Sequence, residues 1–242
     1  MEATMGMARV PGMARRPGFS VLAWLWPVAL IAAQLYAFAI SPPDRDMGDL
    51  QKIMYVHVPA AWNAFIAFFI VFSASLLYLW KRNEKYDLLA ASAAEVGAVL
   101  TALTLVLGSI WGRPTWGVWW TWDARLTSTA VLFLIFVGYL ALRAFTDDPE
   151  RRARWSAAVG ILGAMNVPIV YMSVRWWRTL HQLQSSPSTV DSPYAWGLRA
   201  NAIAFLIVLI YFGRTRYAAA RMEREAEQRL DAAALAAGGY NA

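Results

Sequence analysis

Six apolar runs, at residues 18–40, 58–80, 88–112, 127–145, 155–174 and 195–213, constrain this chain more than any other feature. Each is near the roughly 17–25 residues that a helix needs to cross a bilayer. Lipid offers the backbone no hydrogen-bond partners, so runs of this kind span it as α-helices. The expected fold is all-α: a polytopic membrane protein with six transmembrane helices. The composition agrees, being 59% hydrophobic and 16% charged over 242 residues, whereas soluble domains are nearer half apolar. Residues 1–17 read as an N-terminal segment, 18–213 as the membrane domain and 214–242 as a tail. The first run follows Arg15 and Arg16, as a secretory signal would. It is longer than a signal's apolar core and reads as a retained helix.

Charge orients the spans. Of the 22 Lys and Arg residues, fifteen fall on the side that holds both termini and the segments 81–87 and 146–154. Seven fall on the other side: Arg45, Lys52, Arg113, Arg125, Arg175, Arg178 and Arg199. The positive-inside rule then places both termini in the cytoplasm. The cytoplasmic connections are short and plainly charged. The outer segments, 41–57, 113–126 and 175–194, hold both histidines and a tryptophan cluster, so a functional site is expected to face outward. The tail, with RMEREAEQRLDAAALAA, reads as a solvated helix continuing the sixth span.

The sequence excludes several chemistries. It has no cysteine, hence no disulfide, no thiolate metal site and no covalent C-x-x-C-H haem attachment. Glycine-rich phosphate loops and the H-E-x-x-H motif are missing too. No nucleic-acid partner is expected; the lipid bilayer is.

The histidines are His57, in KIMYVHVPAAW, and His181, in RWWRTLHQ. Pro59 suits the first turn of a helix, which places His57 just before the second span, at the membrane surface. The positive end of that helix disfavours an imidazolium, leaving the neutral form that binds metals. If the fifth helix runs on beyond the membrane, Trp177 and His181 share a face, with Arg178 beside them. Each histidine alone also fits an interfacial residue that only hydrogen-bonds. Together, on one face of six spans, two imidazoles suit the axial positions of one haem iron, whose equatorial positions the porphyrin fills.

The segment WGRPTWGVWWTWDARLTS places Trp111, Trp116, Trp119, Trp120 and Trp122 within twelve residues, followed by Asp123 and Arg125. Trp116, Trp119, Trp120 and Asp123 would form one stripe on a helix, although Gly112, Pro114 and Gly117 predict an irregular first part. An indole surface suits a large planar ligand. Arg113 and Arg125 suit its carboxylates. Asp123 either pairs with Arg125 or caps the fourth span. An aromatic belt at the bilayer edge is the plainer reading.

This segment, with MYVHVPAAW before the second span and VPIVYMSVRWWRTLHQ leaving the fifth, resembles the tryptophan-rich "WWD" family of haem-handling proteins. Within that family it is most similar to the CcmC group of cytochrome c maturation, over roughly residues 20–213. The resemblance implies non-covalent binding of haem b at the periplasmic face of a bacterial inner membrane, with His57 and His181 as axial ligands. It implies a platform of Trp111, Trp116, Trp119, Trp120, Trp122 and Asp123. From the residues themselves, Arg125 and Arg178 are the favoured cations for propionates. It also implies delivery to the haem chaperone CcmE, alongside CcmD and the CcmA–CcmB ABC transporter. The chain itself would be no enzyme, ATP hydrolysis belonging to the transporter.

Other residues are marked by their position in spans. Glu95, near the cytoplasmic end of the third span, reaches water or pairs with Lys81 or Arg82, or else serves function. Asn63, Asn166 and Asn201 suit hydrogen bonds between helices. Arg199 is a weaker propionate candidate. Three further readings stay open on the residues alone: a b-type cytochrome electron-transfer subunit, a transmembrane haem transporter, and a structural scaffold.

Overall fold

The computed structural model describes residues 21–183 and 190–238. The segment 1–17, the start of the first run and part of the third outer segment lie outside the described residues. Among the described residues seven α-helices form six spans: α1 (Val21–Leu35), α2 (Met54–Lys81), α3 (Glu84–Trp116), α4 (Ala124–Ala144), α5 (Pro149–Ala164), α6 (Asn166–Trp176) and α7 (Ser192–Gly238). The first span continues from α1 through a π-helical turn, Tyr36–Ile40, and α5 with α6 makes the fifth. All six are long and apolar enough to cross a membrane.

The core is a seam of small residues between α2 and α3. Ala60, Ala64, Ala67 and Ala74 meet Ala90, Ala93 and Ala94, all buried. Such residues let backbones approach closely where lipid supplies no hydrophobic drive. A Cβ on Gly97 would stand 2.7 Å from the Phe68 ring. Phe68 in turn stacks on Phe136 of α4, with ring centres 3.7 Å apart.

Asparagines bond across helices, as expected. Asn63 donates to the carbonyls of Pro59 and Ala202, and Asn166 to that of Ser128. Asn201 donates to Ala33 and accepts from Gln34, joining α7 to α1. The break between α5 and α6 precedes Pro168, which lacks an N–H and crowds the carbonyl four residues earlier.

Helix ends differ from those expected. α2 begins at Met54, so His57 and Pro59 lie inside it. α3 runs through Gly112 and Pro114 and stops at Gly117, whose φ of +80° suits glycine. The irregular part of the tryptophan segment is therefore its second half, 117–123, and the Trp116–Asp123 helical stripe does not form. α6 ends at Trp176, with Trp177 extended. Trp177 and His181 thus share no helix face.

At the end of the bundle remote from the histidines, Arg143 grips buried Asp87 with two hydrogen bonds, of 2.5 and 2.9 Å. α7 spans 47 residues, or about 70 Å, and extends well past the bundle. Its Arg216 pairs with Glu95 and its Arg224 with Glu84. Glu95 therefore finds its partner on α7, not in Lys81 or Arg82. That reach across from the sixth span is invisible in local spacing.

Candidate functional site

A cavity opens between α2, α3, α4 and α6, at the end of the bundle where α3 gives way to the tryptophan loop. It holds about 1200 Å³ of empty space, its open mouth included. His57, Trp111, Trp116, Trp120, Arg125 and His181 are among its lining residues. Ala64, Phe65, Leu132 and Val170 give it apolar walls.

His57 sits in the first turn of α2, not ahead of it, and is buried at 8% exposure. Starting the helix at Met54 turns this residue inward against α3. Its Nδ1 lies 3.0 Å from the Thr104 carbonyl oxygen. That oxygen can only accept, so Nδ1 carries the proton and the lone pair is on Nε2. Trp111 meets the ring edge-on at 5.9 Å, and Gly108 leaves room for it.

His181 comes from the loop after α6. Its Nδ1 lies 2.9 Å from the Gln182 carbonyl oxygen, which again leaves Nε2 unprotonated. Its pKa is lowered, mainly by burial and further by the Arg125 cation, against the pull of the Gln182 carbonyl and Asp123. The two imidazole centres are 6.3 Å apart and the rings 31° from parallel. Two imidazoles on opposite sides of one metal ion, each bonded at about 2 Å, have centres roughly 6 Å apart. The separation of the two ring centres matches that spacing. Among the described residues no three His, Asp or Glu side chains gather into a metal cage. An ion held here needs its remaining ligands from elsewhere, as a haem iron has them from its porphyrin.

The tryptophans divide. Trp111, Trp116 and Trp120 line the cavity, and Trp116 lies 6.2 Å from the His181 ring. Trp111 and Trp120 bury indole N–H groups that have no partner among the described residues. A buried orphan donor costs about 1–3 kcal/mol, which an incoming acceptor would offset. Trp119 and Trp122, at 59% and 82% exposure, do not line the cavity; Trp122 packs edge-on against Trp120 at its rim.

Arg125 faces the cavity while donating to Ser173 Oγ at 2.9 Å and the Tyr171 carbonyl at 3.2 Å, which ties α4 to α6. Arg178 is exposed and is not among the lining residues, because the helix expected to run on through His181 has already ended at Trp176. Arg113 folds back onto the Gly117 carbonyl, and Arg199 lies over Trp196.

Asp123 is not part of the cavity wall. One carboxylate oxygen caps α4, accepting from Leu126 N at 2.9 Å. The other accepts from Thr179 Oγ1 at 2.6 Å and Leu180 N at 3.2 Å. Capping was legible from the sequence. The bond to Thr179 was not, since it joins loops 56 residues apart.

Comparison with known proteins points to one family. The family model described as "Heme exporter protein C" matches residues 10–232. A protein of that name from Bradyrhizobium diazoefficiens is 43% identical over 196 residues, covering 78% of this chain and 74% of its own. One from Escherichia coli K12 is 36% identical over 193 residues, covering 74% and 78%. A Marchantia polymorpha protein, provisionally named as a ccmC-like mitochondrial protein of cytochrome c biosynthesis, is 38% identical over 166 residues, covering 68% and 69%. With a family model matched over nearly the whole chain and relatives this similar, the six-span protein with its paired histidines belongs to the heme exporter protein C (CcmC) family.

Proposed function

We propose that this chain is a haem-delivery protein of cytochrome c maturation. It holds haem b non-covalently, with His57 and His181 as axial ligands, and passes it to the chaperone CcmE. The observation that carries the reading is the 6.3 Å separation of two imidazoles, each with Nδ1 on a backbone carbonyl. The residues fit the cargo. Apolar walls receive the porphyrin, Trp111, Trp116 and Trp120 give it aromatic contact, and Arg125 offers a cation to a propionate.

Delivery asks for capture and release by the same site. His57 is fixed on a helix, and His181 stands on a loop. A competing ligand can displace the loop-borne imidazole without unfolding a span. Trp119 and Trp122, exposed at the rim, are placed to meet the receiving chaperone. The charge asymmetry between loops favours a periplasmic site in a bacterial inner membrane. CcmD and the CcmA–CcmB transporter are the expected companions, with ATP hydrolysis in CcmA, so this chain acts as a delivery factor and not an enzyme.

Electron transfer as a b-type cytochrome is the second reading, favoured by the burial of His57 inside α2. Visible spectra of the detergent-purified protein, oxidised and reduced, test the binding claim. A low-spin Soret and α-band pattern that weakens in both His57→Ala and His181→Ala is expected. Its absence after haem loading would defeat the proposal. Loading of CcmE by the haem-bound protein then separates delivery from electron transfer.

A further inference from the structure

We infer that Thr179, held by Asp123, is a positioning residue for His181: the pair latches the third outer loop to the tryptophan loop and so sets the second axial ligand. The inference rests on the bis-histidine reading above.

The two histidines are supported very differently. His57 has a helix beneath it, a carbonyl on its Nδ1 and Trp111 at its edge. His181 has no helix, since α6 ended at Trp176. Its own ring bond, to Gln182, lies within the same loop and moves with it. What ties this stretch to the rest of the site is a short chain of hydrogen bonds. Thr179 Oγ1 donates to Asp123 Oδ2 at 2.6 Å, and Leu180 N donates to the same oxygen at 3.2 Å. Thr179 Oγ1 also accepts from His181 N at 3.0 Å. One hydroxyl thus connects a carboxylate to the backbone of the ligand residue itself.

The anchor is stiff. The other oxygen of Asp123 caps α4, so the carboxylate cannot swing without uncapping that helix. A charged acceptor makes these bonds stronger than neutral ones. Through them the loop is registered against α4, next to Arg125, and His181 is held opposite His57. Placement matters at this scale: in enzymes a shift of about 1 Å can cost roughly 100-fold in rate. The aspartate that ends the tryptophan motif therefore acts on His181 and not on the ligand's face.

Thr179→Val removes the hydroxyl at nearly constant shape, and Thr179→Ser restores it. Haem-loaded wild-type protein is expected to be low-spin. Thr179→Val should convert most of it to a high-spin form with His57 alone, and added imidazole should return the low-spin spectrum. Thr179→Ser should match wild type. In haem-free protein, backbone amide exchange across residues 177–183 should speed up in Thr179→Val by tenfold or more. An unchanged spectrum together with unchanged exchange would overturn the latch. So would a global loss of helix, which would make Thr179 a folding residue. Wild-type protein without haem sinks the bis-histidine reading instead, and the exchange measurement still decides whether Thr179 holds the loop.

Discussion

Gly108 lies against the His57 imidazole: a Cβ at that position would stand 3.1 Å from His57 Cε1 and 3.6 Å from Nδ1. The histidine, one turn into α2, is thus seated in a notch that α3 cuts for it. Gly108→Ala should push the ring off its bond to the Thr104 carbonyl. Overpacking of this kind costs about 1–3 kcal/mol, too little to unfold six spans. The expected outcome is a folded protein with a lower haem-to-protein ratio, read from absorbance after gel filtration in detergent. Full occupancy with a wild-type Soret band would show that the notch has slack.

Replacement of the two histidines should not be symmetrical. His57 is held by its helix, by Thr104 and by Trp111. His181 stands on a loop. His181→Ala is therefore expected to keep more haem than His57→Ala, in a high-spin form that binds added imidazole readily. Haem stoichiometry and spin state of the two variants, measured side by side, check this. Equal retention would mean that helix and loop contribute alike.

How much of this was legible in the sequence follows from the range of the interactions. The spans were readable because lipid imposes a length and an apolar content on each segment. Their ends were not, because helix continues into water wherever local geometry allows. Pro114 suggested irregular chain, yet α3 carries it in its last turn. Pro59 suggested the start of α2, yet the helix begins five residues earlier, at Met54, and that difference buries His57. The three asparagines were readable as bonds between helices because hydrocarbon leaves an amide no other partner. Thr179, Asp87 and Arg216 were not, since each meets its partner only once the bundle has formed. Nor does any local signal end α6 at Trp176, where neither glycine nor proline follows. The motif placed the tryptophans, but dividing them between wall and rim needed coordinates.

That division makes a prediction of its own. Trp116→Ala and Trp120→Ala remove cavity wall and should lower haem retention. Trp119→Ala with Trp122→Ala removes exposed rings and should leave both retention and spin state unchanged while slowing transfer to CcmE. Haem occupancy and a timed transfer assay on the same preparations separate the two classes. Loss of haem from the double rim variant would move these rings into the binding surface.

The Asp87–Arg143 pair tests whether the two ends of the bundle are independent. Asp87 is buried and Arg143 partly so, with side chains 9% and 13% exposed, and the contact is a two-pronged fork. Tyr139 packs against the guanidinium. Removing one partner leaves an uncompensated buried charge, which costs about 3–5 kcal/mol. Asp87→Ala should therefore lower the thermal midpoint in detergent sharply, and Arg143→Ala comparably. Replacing both residues, as Asp87→Leu with Arg143→Met, should recover much of the loss, because a buried pair gains little over well-packed apolar side chains. The site lies at the other end of the spans, so the haem spectrum of each folded variant should match wild type. If Asp87→Ala instead shifts the spin state at temperatures where the protein is folded, the ion pair is coupled to the histidines through α3, the helix that carries both Asp87 and the Gly108 notch.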